Sequence, residues 1–174
     1  MKHISASWRG ARRAPYVPLA GTQGPRSGWT SWSADPDQWV RPLVTALERA
    51  HVTGAYASYW VAYPLTFEAR GRLVAADPRV NRYPAYLAAA ERSSRQAWIF
   101  PRAATLSALN AAAGTHAWLP DGSLTEADLE SYLARHRIAY RAESAGYFTI
   151  VYPARALLAR AIPRAAVPTP GISK

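Results

Sequence analysis

Cysteine is absent from the 174-residue sequence, which excludes disulfides, thiolate metal sites, iron–sulfur clusters and a cysteine nucleophile. Acidic residues are missing from both ends: residues 1–34 carry five basic and no acidic side chains, and residues 154–174 carry four and none. Lysine is nearly missing as well, since Lys2 and Lys174 are the only lysines among 21 basic residues. The formal net charge of +10 points first to nucleic acid, yet once the ends are set aside 12 basic residues face 11 acidic ones. Phosphate recognition calls for a basic stripe on a folded surface, so a basic nucleic-acid-binding scaffold stands as an alternative that rests on the ends alone. The same ends suit solvated linkers or segments beside an anionic membrane surface.

Long apolar runs are also lacking. Residues 50–67 and 103–120 are uncharged stretches of 18 residues, but His51, Thr53, Gly54, Ser58 and Pro64 interrupt the first. Ser107, Asn110, Gly114, Thr115 and His116 interrupt the second, and no transmembrane span is expected. Met1-Lys2-His3 is followed by no apolar core, and Arg12-Arg13 is followed by Pro15 and Pro18, which is a poor export signal; taken at face value this places the chain in the cytoplasm. Catalytic signatures are missing too: there is no GxGxxG, GxxxxGK[ST], GxSxG or HExxH, and no cofactor is expected. The four histidines, at 3, 51, 116 and 136, are scattered singly. Glu68, Asp77 and Asp121 have no spacing that demands an acid–base pair.

With 49% hydrophobic residues the chain has enough apolar surface for one core. Residues 1–34 read as a basic Gly/Pro-rich arm, 35–153 as an α/β domain, and 154–174 as a basic Pro-rich tail. Asp35-Pro36-Asp37 opens a helix, with a capping carboxylate, proline at the first helical position and an acid in the first turn. Trp39, Val40, Leu43, Val44 and Leu47 then recur at helical spacing to about His51. The same three residues spell Asp-x-Asp, so a soluble metal-dependent sugar transferase using Asp35 and Asp37 is a second alternative.

Strands are expected at Ala55–Ser58, Arg72–Ala76 and Gln96–Phe100, alternating with helices at Tyr59–Ala69, Pro84–Arg92 and Ala103–Ala113. Pro64 fits the second helix only if that helix begins near Tyr59. Thr125 and Asp128 have capping-box spacing ahead of a helix that ends near Arg137. Ile138–Ala142 and Tyr147–Tyr152 close the domain as a hairpin over a Glu143–Gly146 turn, and Leu157, Leu158 and Ile162 form a short docking segment. The expectation is an α/β fold: a small mixed sheet of about five strands with helices packed on it, ending in an antiparallel hairpin.

The most informative cluster is aromatic: Tyr56, Tyr59, Trp60, Tyr63 and Phe67, then Tyr83 and Tyr86 after Arg82. On a helix, Tyr59, Tyr63 and Phe67 share a face, with Trp60 and Pro64 beside it. Such rings suit core packing; they also suit sugars, whose C–H faces stack on aromatics while their hydroxyls take hydrogen bonds. Arg82 beside Tyr83 has the planar fork that clamps phosphate or carboxylate. Arg79, Arg82, Arg92 and Arg95 gather in sequence around Asp77-Pro78, a loop that lies at the carboxyl edge of the sheet if the preceding strand is parallel.

Tyr59-Trp60-Val61-Ala62-Tyr63-Pro64-Leu65-Thr66-Phe67-Glu68 resembles a stretch in the soluble C-terminal domain of bacterial, especially actinobacterial, membrane glycosyltransferases of the GT-C class. These are relatives of the dolichyl-phosphate-mannose protein mannosyltransferases and of aminoarabinose transferase. The family pattern is similar to YW-x-AYRLTF, a strand, an Arg-Tyr-Pro-x-Tyr segment (here Arg82 to Tyr86) and an aromatic strand (here Ala97 to Phe100). The likeness covers roughly residues 36–152. Pro64 stands where relatives tend to have arginine, and Ser58 where aspartate is common. The transmembrane helices and loop aspartate that such enzymes use for catalysis have no counterpart in these residues. The resemblance implies a noncatalytic, extracytoplasmic and membrane-associated module. It would contact glycan, polyprenyl-phosphate sugar or a membrane glycosyltransferase subunit through Tyr59, Trp60, Tyr63, Arg79, Arg82 and Tyr83.

Overall fold

A computed structural model describes residues 36–79, 82–103, 105 and 124–163. Helix α1 (Pro36–Arg49) buries the anticipated stripe of Trp39, Val40, Leu43, Val44 and Leu47. It ends in a Schellman pattern: the His51 N–H donates to the Glu48 carbonyl and the Val52 N–H to the Leu47 carbonyl, with His51 in the left-handed region at φ 54°. Strand β1 (Gly54–Tyr56), helix α2 (Tyr59–Glu68) and strand β2 (Val74–Ala76) form the first βαβ unit. Helix α3 (Pro84–Arg92) leads to strand β3 (Gln96–Pro101). Helix α4 (Glu126–Arg135) and the hairpin β4 (Tyr140–Ala145) and β5 (Phe148–Pro153) follow. The strand order is β2-β1-β3-β5-β4, with β1 parallel to both β2 and β3 and the last two pairings antiparallel. This is the expected mixed sheet of five strands.

The alternation of side chains across the sheet divides the core in two. On one face Ala75, Ala55 and Ala97 lie in register across three strands, and these small side chains let α1 and α2 come close. On the other, Ala76, Tyr56, Trp98 and Val151 form the matching row beneath α3, α4 and the segment at Leu157–Ile162. Leu43, Leu47, Leu65, Leu73, Leu129 and Leu133 are fully buried, each contributing roughly 1.5–3 kcal/mol by removal from water. The Gln96 side chain joins three elements: its amide N–H donates to the Ala90 carbonyl at 2.9 Å, and its Oε1 accepts from the Leu157 N–H at 2.7 Å. Leu157 and Ile162 are thereby seated, whereas Leu158 points outward.

Several expected details shift. The hairpin turn is the two-residue Gly146-Tyr147, because Ala145 pairs with Phe148; Gly146 takes φ 58° at the first turn position, as a type II′ turn requires. Glu143, Ser144 and Ala145 are strand instead of turn, since alternation through β4 continues past Ala142. Pro64 is the sixth residue of α2, beyond the free amides of the first turn, since helical bonding already begins with the Ala62 N–H to the Ser58 carbonyl, so the Trp60 carbonyl receives no helical N–H from it. The capping box at Thr125 and Asp128 is present with both of its bonds. Most of the expected helix at 103–113 lies outside the described residues.

The outer edge of β2 is closed by a side chain of α2. Thr66 Oγ1 accepts from the Ala75 N–H at 2.8 Å and lies 3.1 Å from the Ala75 carbonyl oxygen, which together are the outward-pointing pair of the central β2 residue. At the hairpin, Glu143 accepts from Tyr152 Oη at 2.8 Å, from Arg49 at 3.3 Å, and from Arg141. Burial raises the Glu143 pKa, but these bonds and the arginine charges outweigh it and hold the carboxyl below its ordinary value. Burial, and next the bond to that carboxylate, pushes the Tyr152 phenol up.

Two outcomes follow from this packing. A Cβ at Gly54 would lie 2.6 Å from Ser93 Cβ and 2.9 Å from the Ala90 carbonyl oxygen, so Gly54→Ala lowers unfolding stability by about 1–3 kcal/mol in urea titrations. A lowered carboxyl pKa stabilises the fold above the unfolded glutamate value of about 4.3 and ceases to do so as pH falls through the folded value. Glu143→Gln is therefore less stable than the parent at about pH 7, and the difference disappears as pH falls through the lowered value of the folded carboxyl.

Candidate functional site at the carboxyl edge of the sheet

The parallel strands β1 and β2 both end on the same edge of the sheet, where Asp77 follows β2. Asp77 is buried, and its Oδ2 accepts from the Tyr59 N–H and its Oδ1 from the Arg79 N–H, both at 2.7 Å. Ser58 occupies the N-cap position of α2 without making a side-chain capping bond. The carboxylate from the neighbouring strand takes that role, where the helix dipole favours negative charge. The bond fixes the first turn of α2, and with it the rings of Tyr59, Trp60 and Tyr63, against the loop that leads to Arg82 and Tyr83.

Those rings form a continuous ladder. Tyr59 meets Trp60 edge-on at 5.2 Å and Tyr63 at 4.8 Å between centroids. Tyr63 meets Tyr83 at 5.2 Å, and Tyr83 stacks on Tyr86 at 5.5 Å. Arg82 lies over Tyr59, with Cζ 5.0 Å from the ring centroid, and its Nη1 donates to Tyr59 Oη at 3.2 Å. Trp60 is 54% exposed and Tyr83 56%, so the ladder has ring surface open to solvent at its Trp60 end and at Tyr83. Burial, then the neighbouring Tyr59 hydroxyl and the Asp77 charge, raises the Tyr63 pKa, which keeps it a neutral hydrogen-bonding phenol at physiological pH.

A cleft of about 50 Å³ opens beside Asp77, lined by Ser58, Arg79, Trp98, Phe100 and Leu124 among others. It sits at the carboxyl end of β1 and β3, where the chain runs to β2 on one side and β3 on the other, the usual ligand position in open α/β sheets. Ser58 Oγ and Trp98 Nε1, both buried, have no hydrogen-bond partner there. Its volume admits a water or two, not a sugar ring.

Of the six residues anticipated for the site, Tyr59, Trp60, Tyr63, Arg82 and Tyr83 come together in the ladder. Arg79 belongs to the adjoining cleft. Tyr56 is not part of the ladder, because its position on β1 turns it into the core, stacked on Trp98 at 4.2 Å and donating to the Leu157 carbonyl at 3.4 Å. Arg95 is at the opposite edge of the sheet, where its carbonyl accepts from the Thr53 N–H, so the sequence cluster around Asp77-Pro78 is divided. The sequence reading missed Asp77 as a cap and the unpaired Ser58 and Trp98; the absence of a capping bond partner three residues after Ser58 was the available signal. Asp35 and Asp121 lie outside the described residues, and of Asp37 only the backbone is described. Among the described residues no group of three or more histidine, aspartate and glutamate side chains is placed to hold a metal, and no helix is long and apolar enough to cross a membrane.

Compared with protein families, with curated proteins and with solved structures, the chain matches none.

Asp77→Ala leaves two backbone donors without their charged acceptor and lowers stability by about 2–3 kcal/mol. Asp77→Asn, which retains an acceptor oxygen, loses less. Amide hydrogen exchange at Tyr59 accelerates in the alanine variant beyond the change at core amides such as Ile99, which shows that the effect begins at the helix end.

Proposed function

We propose that this chain is a noncatalytic α/β module akin to the soluble C-terminal domain of GT-C class membrane glycosyltransferases, and that its aromatic ladder contacts glycan, including sugar carried on polyprenyl phosphate. The observation that supports this reading is the ladder itself: edge-packed rings whose outer members, Trp60 and Tyr83, are more than half exposed, with Arg82 held on Tyr59. Rings that brace one another lose little freedom when a sugar stacks on them. Tyrosine hydroxyls and the guanidinium supply donors for sugar hydroxyls or for a phosphate oxygen. Because the neighbouring cleft is too small for a pyranose, the sugar lies on the surface, stacked across the exposed rings.

Titration of the full chain with mannose- and arabinose-containing oligosaccharides, followed by tryptophan fluorescence, tests this. Saturable quenching is expected, with Tyr83→Ala weakening binding at least about tenfold, equivalent to about 1.4 kcal/mol, and Trp60→Ala removing most of the signal. Unchanged spectra at millimolar sugar overturn the proposal.

A further inference from the structure

The solvent-facing side of α2 is almost without polar groups. Successive helical residues advance by about 100°, which puts Tyr63, Phe67, Trp60 and Pro64 on one arc and the buried Val61, Ala62, Leu65 and Thr66 on the opposite one. The first arc faces water: Phe67 is 84% exposed, takes no part in the ladder, and lies two turns beyond the 54% exposed Trp60. Glu68, half-buried at the margin of the arc, is the one charge within the helix. Exposed arginines stand at its two ends, Arg70 just past the C-terminus and Arg82 beside Tyr59. Arg72 is engaged with Glu48 at 2.8 Å.

A surface helix in water ordinarily turns a polar face outward; one that is apolar all round belongs in a core or at a membrane. Tryptophan, tyrosine and phenylalanine bounded by arginine is the composition of the bilayer interface, where amphipathic rings sit at headgroup level. Alternative occupants fit less well. Pro64 and Phe67 have no hydrogen-bonding side chains to offer a sugar, and a second copy packed across a twofold axis would bring the arginines at the two ends of the helix toward arginines of the other copy, whichever way the helices run. The chain's net charge of +10, with nine basic and no acidic residues in segments 1–34 and 154–174 together, matches an anionic surface instead.

We propose that the Trp60–Phe67 face of α2 is a peripheral docking surface for an anionic bilayer, with the rings of Trp60 and Phe67 in the headgroup region and Arg70 and Arg82 against acidic headgroups. This goes beyond the glycan reading and does not depend on it. The helix lies in the membrane plane, and the ladder then opens along that plane.

Flotation of the full chain with vesicles of phosphatidylcholine, with and without phosphatidylglycerol, tests the proposal. Binding is expected only to the anionic vesicles, weakening with salt. Phe67→Ser, at a site too exposed to disturb folding, reduces it at least about tenfold while leaving oligosaccharide titrations unchanged. Quenching by lipids brominated in the upper acyl chain is present in the parent and falls in Trp60→Phe. Binding that persists undiminished in Phe67→Ser assigns the affinity to the basic ends and overturns the proposal. A concentration-dependent dimer that Phe67→Ser abolishes, without vesicle binding by the parent, gives the face to a second copy and overturns it equally. Vesicle binding without sugar binding leaves this proposal standing and removes the glycan reading; the reverse does the opposite.

Discussion

Asp77 is the constraint on which the carboxyl edge of this molecule depends. Its two oxygens hold the first amide of α2 and the backbone of Arg79, so one buried carboxylate joins the end of β2, the start of α2 and the loop toward α3. The local candidate for capping, Ser58, makes no such bond. A cap supplied from a neighbouring strand ties a tertiary distance to a helix terminus. The orientation of Tyr59, Trp60 and Tyr63 is consequently tied to the registry of β2 on β1 and not to the helix alone.

Much of this fold was legible because its signals are local. The apolar period of α1, the Thr125 capping box, and the Tyr83-Pro84 start of α3 each lie within a few residues of what they control. The hairpin was legible as well, although its turn was placed too early: Glu143 and Ser144 look like turn residues until the pairing of Ala145 with Phe148 shows that alternation continues through them. What sequence could not show is long-range. Tyr56 was grouped with the exposed rings because it is close to them along the chain, but strand alternation points it inward onto Trp98. The roles of Asp77 and Thr66 arise only when β2 is laid beside α2, eighteen positions and nine positions away respectively. The ladder falls between these cases: spacing brought Tyr59 and Tyr63 together, whereas their meeting with Tyr83 needed the crossover.

The two faces of the sheet solve the packing problem differently, and this bears on where function can sit. Alanines of β1, β2 and β3 let α1 and α2 come close, and Trp39 and Phe148 complete the core on that face, so the aromatic residues of α2 are not required inside and stay on its outer arc. On the opposite face Tyr56 and Trp98 fill the space, and Gln96 fastens the Leu157 segment over them. Aromatic content is thus divided between rings buried on both faces of the sheet, Trp39 and Phe148 on one and Tyr56, Trp98 and Phe100 on the other, and an outer set on α2 and at the start of α3 that meets solvent.

The two margins of the sheet are not equivalent. At β2, Thr66 Oγ1 takes the outward N–H of the middle residue and sits beside its outward carbonyl, while β4 is the other terminal strand and has no such plug among the described residues. Extension of the sheet by another copy through β4 alone is isologous: two molecules meet about a twofold axis and the assembly is finished. Open-ended growth into a fibre would need each molecule to offer a donor margin and a receiving margin, and a single threonine hydroxyl withholds the second.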